Sequence, residues 1–280
     1  MASRNPVFAR NRALTAPRGV PGNSQAGAGS GPIMSEEQLQ NLYNQPAAGP
    51  AQTGRMTYDD VMIRTAGLFG ILLLGGAVGW FVPALFLPSL LIGVVLGFVN
   101  IFKREPSPAL IIAYAAFQGM FLGGFSMFME RMYEGIVIQA VLATLSVFGV
   151  MLALFASGKV RVTKKFTRFF MLAIIGYAAF SLVNLVYMIA SPGAGMFGMH
   201  SMEITLPIVG TFPLGVLIGA FAILLASYAL VMDFDDIQRG VRNGIARKYA
   251  WSCAFGLMVT LIWLYTEMLR LLALLRGSSN

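Results

Sequence analysis

From residue 57 onward the chain falls into long apolar stretches joined by short polar connectors, and before that point it has no apolar run. The stretches are continuous rather than alternating, the pattern of helices long enough to cross a bilayer. The reading is seven spans: Val61–Phe81, Leu85–Phe102, Ala109–Met129, Gly135–Phe155, Phe169–Ile189, Pro207–Met232 and Lys248–Leu275. Thr57 with Asp59 and Asp60 marks the start of the first helix. Pro83 and Pro88 bracket a tight turn into the second, and Lys103-Arg104-Glu105-Pro106 ends it. Residues 1–55 are rich in Pro, Gly, Ala, Ser, Asn and Gln and read as a flexible polar tail. Within it Ser35 caps a short helix over Ser35–Tyr43, with Glu36 and Glu37 in the first turn. The expected architecture is an all-α integral membrane protein. A seven-helix transmembrane domain over residues 56–276 follows the tail, and residues 277–280 trail behind it.

Composition supports that reading and adds orientation. A chain of 280 residues that is 57% hydrophobic and only 11% charged has more apolar surface than one soluble core can hide. The net charge of +8 would suit nucleic acid, but the basic residues sit in alternate connectors, so no nucleic-acid partner is expected. Lys103 and Arg104, then Lys159, Arg161, Lys164, Lys165 and Arg168, then Arg239, Arg242, Arg247 and Lys248 fall on one side; the opposite connectors hold only Arg131. This places the N-terminus in the cytoplasm and the protein in a plasma or inner cell membrane, with the lipid bilayer as its first partner. The C-terminus is outside if all seven spans cross and inside if the last one re-enters. No h-region of a cleavable signal is present, and Pro6, Pro17 and Pro21 break the Arg-rich start as an amphipathic transit helix.

Candidate chemistry is concentrated in the last two spans. With one cysteine (Cys253) and one histidine (His200), neither a disulfide framework nor a His/Cys metal site can form, and no cofactor is expected. A cation site built from carboxylates stays open. In span six, Gly215, Gly219, Ala222, Ala226, Ala229, Asp233 and Asp236 recur at helical spacing, a close-packing stripe that ends on two acids. Asp235 points off that stripe and reads as a solvated partner of Arg239 or Arg242. For Asp233 and Asp236, solvated helix-end residues and functional acids are both open readings. Glu267 sits well inside span seven with Arg270 one turn on; it is either a local ion pair or a proton-sensitive switch. Ser181 and Asn184 with Tyr177 on span five, and Gln118 with Tyr114 on span three, are inter-helix hydrogen-bonding groups or pore lining. Gly75, Gly76 and Gly79 serve packing, since no P-loop pattern surrounds them. Enzyme readings fail: Gly124-Phe125-Ser126-Met127 lacks the second glycine of an intramembrane serine protease, and no Gly-x-Gly-Asp of an aspartyl intramembrane protease occurs.

The run Met232-Asp233-Phe234-Asp235-Asp236-Ile237-Gln238, the basic turn, Tyr249-Ala250-Trp251 and Leu264-Tyr265-Thr266-Glu267 resemble the Bax inhibitor-1 family of seven-span proteins. Span three, AYAAFQGMFLGGFS, and Gly135–Ala140 with Thr144 resemble it too, so the likeness covers about residues 57–275. The resemblance implies a pH-sensitive calcium leak in which six helices surround the seventh. Two carboxylates on spans six and seven would share a proton or hydrogen bond, lost at low pH when the helices part. On that likeness Asp236 is the span-six acid, with Asp235 competing for the match, and Glu267 the span-seven acid, both also calcium-pathway carboxylates. The segment between Asp236 and Glu267 is about two helical turns longer than in better-known members. Gln118 stands where many relatives have Glu, and span two has no internal Arg. The alternative is a non-conducting regulator that binds other membrane proteins, such as a membrane protease complex.

Overall fold

The computed structural model describes residues 54–191, 193, 195–206 and 210–277. The tail over residues 1–53, the helix expected at Ser35–Tyr43, the start of span six at Pro207 and residues 278–280 lie outside the described residues. Among those described, seven helices are long and apolar enough to cross a membrane. They are α1 Tyr58–Phe81, α2 Phe86–Phe102, α3 Pro108–Met132, α4 Ile136–Ala156, α5 Lys164–Ala190, α6 Leu214–Arg242 and α7 Ala250–Gly277.

Each boundary has a local cause. Thr57 accepts from the backbone N–H of Asp60 at 3.1 Å while the Asp60 carboxylate accepts from that of Thr57 at 3.3 Å, a reciprocal capping box. Pro83 opens a 3₁₀ turn over Pro83–Leu85 that feeds α2. Two boundaries differ from expectation. The described part of span six becomes helical only at Leu214: before it, β1 Glu203–Leu206 and β2 Gly210–Pro213 pair as an antiparallel hairpin. Pairing with β1 keeps the backbone extended through Pro213, so the helix begins at Leu214. At its other end α6 runs past Met232 to Arg242, so the three aspartates lie within the helix rather than at its end.

The last helix is the centre of the bundle. It packs against α6, α1, α4 and α3, and 61% of its apolar window is buried against 11% for α2 and α5. The tightest pair is α1 with α3. A Cβ built on Gly79 would fall on the Met120 carbonyl, one on Gly123 on the Gly76 carbonyl, and one on Gly119 on the Leu72 carbonyl. Only glycine lets the two backbones approach this closely, which is what the glycine runs on these spans are for. Helix α5 packs mainly on α6 and on the 3₁₀ turn Gly198–Ser201. Its outward Leu172, Ile175, Leu182 and Ile189 are more than 60% exposed, an apolar surface that belongs in lipid.

Candidate functional site

The α6 stripe faces α7 as its spacing predicts. Gly215, Gly219, Ala222 and Ala226 are buried, with Gly215 against Leu274 and Gly219 against Leu271. Asp233 lies 18 residues beyond Gly215, about five full turns, and so returns to the same face. Its carboxylate lies beside Gly256, where a Cβ would come within 3.5 Å of Oδ1, with the Thr260 side chain close by. Its Oδ2 is buried without a hydrogen-bond partner among the described residues. Asp236, three residues on, is rotated about 60° off that face. Its side chain is 62% exposed and pairs with Arg239, which also holds Asp235 at 2.9 Å.

Glu267 is 3% exposed and lies in a cluster that joins α7 to α5. Its Oε2 pairs with the Arg270 guanidinium, while Oε1 accepts from the Tyr177 hydroxyl and from Trp263 Nε1 at 3.2 Å. Arg270 also donates to the Tyr177 oxygen at 2.7 Å. The expected pairing of Asp236 with Glu267 is therefore not formed. Asp236 is held by Arg239 in the open, and Glu267 is fully engaged elsewhere. Even Asp233, level with Gly256 and Thr260, is separated from Glu267 by the seven residues after Thr260, about 10 Å along the axis. The acids stand apart because α6 and α7 run antiparallel: moving toward Asp236 on one helix moves away from Glu267 on the other.

The remaining expected site residues divide. Gln118 and Asn184 line one cavity of about 960 Å³ between α3, α5 and α7, together with Arg131, His200 and Arg270. Asn184 also ties α5 to the 3₁₀ turn, its Oδ1 accepting from the backbone N–H of Met199 at 2.7 Å. Ser181 is not with them. It lines an apolar groove with Tyr177, Leu185 and Trp263. His200 is 2% exposed; its Nδ1 faces the Phe197 carbonyl at 3.2 Å. Burial, with the Arg270 charge nearby, pushes its pKa down to about 4.

Two residues escaped sequence reasoning as functional partners. Asp60, expected only as a helix-start acid, binds Arg247 Nε at 2.6 Å and Arg64 at 3.2 Å, clasping the start of α1 to the α6–α7 turn. Thr260 lies one turn after Gly256 on the same face of α7, but nothing in the sequence names Asp233 as its partner. Among the described residues no group of three or more His, Cys, Asp or Glu is placed to hold a metal ion.

Comparison with functionally curated proteins finds no significant match. A family model described as Bax inhibitor 1 like matches residues 5–277. That match takes in all seven helices and the α6–α7 seam, and by it this multi-pass membrane protein belongs to the Bax inhibitor 1 like family.

Proposed function

We propose that this protein is a proton-responsive cation leak, with calcium the ion that the family likeness suggests. In this reading Asp233, rather than Asp236, is the α6 acid that responds. The observation that carries it is the buried Asp233 Oδ2, left without a partner where α6 meets Gly256 and Thr260 of the central helix. An ionised carboxylate in such a place is costly unless a proton, a cation or water satisfies it. Loss of the proton therefore favours parting of α6 and α7 at this level, and a cation entering the seam would find an oxygen ligand waiting. This runs opposite to an opening driven by acid, which needs the Asp236–Glu267 pair. In this reading the basic connectors at the Asp233 end favour a cytoplasmic side for that end and for the N-terminus, in a plasma or inner membrane.

Two observations favour a second reading, a non-conducting regulator of other membrane proteins without catalysis of its own. Glu267 is neutralised by Arg270, and the cavity at the far end of the bundle is lined by Arg131 and Arg270 with no acid. Calcium flux into liposomes holding the full-length protein, followed against pH for wild type and Asp233→Asn, separates the readings. A leak whose pH response vanishes in the variant supports the first; no flux above empty liposomes supports the second.

A further inference from the structure

The cavity between α3, α5 and α7 has two unlike ends. Toward the middle of the bundle its walls include Phe121 and Phe125 of α3, with Phe86 stacked on Phe121. Toward the hairpin they are Arg131, His200 and Arg270, and none of the lining residues is acidic. Arg131 is exposed and forms no ion pair among the described residues. The role of Arg270 as counter-ion of Glu267 uses its Nη2 and leaves its Nε buried without a partner.

His200 supplies an independent sign of a ligand. The residue is 98% removed from solvent, yet its Nε2 is buried without a partner. The Phe197 carbonyl takes the Nδ1 proton, so Nε2 is a bare acceptor that calls for a hydroxyl. Two guanidinium groups and one acceptor nitrogen at the mouth of an apolar slot match a phosphate bearing a hydroxyl beside an acyl chain. The volume, about 960 Å³, falls in the range of pockets that enclose whole small ligands. Helix α5 leans on α6 and the 3₁₀ turn more than on α2 or α3, so the slot lies where no extensive helix-to-helix contact among the described residues seals it from the bilayer.

We propose that this cavity binds one anionic phospholipid whose headgroup carries a free hydroxyl. The phosphate lies on Arg131 and Arg270 Nε, the hydroxyl donates to His200 Nε2, and an acyl chain runs along Phe86, Phe121 and Phe125. Lipid retention by the full-length protein, measured by native mass spectrometry, tests this with dioleoylphosphatidylglycerol, dioleoylphosphatidic acid and dioleoylphosphatidylcholine as probes. Glycerol 3-phosphate tests the headgroup alone, and a melting curve for each variant confirms that it folds. The expected result is one phosphatidylglycerol retained in preference to phosphatidylcholine. Arg131→Gln should weaken it about fivefold, the effect of one basic group on an anionic headgroup. Arg168→Gln, at the opposite end, should leave it unchanged, and His200→Gln should narrow the preference over phosphatidic acid, which lacks the hydroxyl. Equal retention of phosphatidylcholine, an unaltered Arg131→Gln, or full displacement by glycerol 3-phosphate would each overturn the proposal.

Discussion

Tyr177 of α5 donates its hydroxyl hydrogen to the buried carboxylate of Glu267 on α7, across 90 residues of sequence. Arg270 binds both groups, so the three side chains form one closed unit and the main polar link between α5 and the central helix. Because the acid is satisfied on both oxygens, its removal and the removal of its counter-ion have unequal effects.

Arg270→Ala leaves Glu267 as an unpaired buried charge and should cost about 3 kcal/mol or more. Glu267→Gln should cost less, and the double change Glu267→Gln with Arg270→Gln should recover much of the loss. Melting temperatures of the three variants in one detergent check the order. Equal losses for both single changes would show that the pair is not what holds the cluster.

The α1–α3 contact makes a second expectation. Gly79→Val drives a side chain into the Met120 carbonyl, and overpacking of this kind costs about 1–3 kcal/mol. Gly67→Ala, on the same helix with nothing within 4 Å, should be neutral or slightly stabilising. Thermal denaturation of the two variants side by side distinguishes a close helix contact from a general intolerance of side chains.

Asp60 makes a third. Its carboxylate is buried and binds Arg64 and Arg247, so Asp60→Asn should lower stability by about 2 kcal/mol, the scale of a charge-assisted hydrogen bond. Another ion pair at this end, Lys248 with Glu105 at 2.8 Å, holds the Glu105 carboxyl below its usual range but lies in the open. Glu105→Gln should leave the melting temperature unmoved.

A fourth concerns pH. His200 is neutral when folded down to about pH 4, whereas an unfolded histidine takes up its proton near 6.5. Between those values the unfolded chain binds more protons, so stability rises with pH over that window and is lost as pH falls through it. Thermal stability measured from pH 7 to pH 4 should fall more steeply for wild type than for His200→Gln.

Much of this was legible in the chain, for physical reasons that also explain the gaps. Span positions and the burial of Glu267 followed from apolar run length, and its Arg270 partner from one helical turn. The stripe on α6 placed Asp233 and Asp236 together because spacings of three and four both approximate 3.6. Asp233 returns to the starting face after about five full turns, and the single three-residue step beyond it turns Asp236 about 60° away and into solvent. Tyr177 with Glu267, Asp60 with Arg247 and Asp233 with Thr260 are contacts between distant segments, which periodicity cannot pair. The hairpin before α6 was hidden because Ile, Thr, Leu and Phe read equally as an extension of the neighbouring span.

The most direct measurement is calcium flux in liposomes from acid to alkaline pH for wild type, Asp233→Asn, Asp236→Asn and Glu267→Gln. The account predicts a wild-type leak that rises with pH, a flat response in Asp233→Asn and a wild-type profile in Asp236→Asn. A response abolished by Asp236→Asn and kept by Asp233→Asn would contradict it.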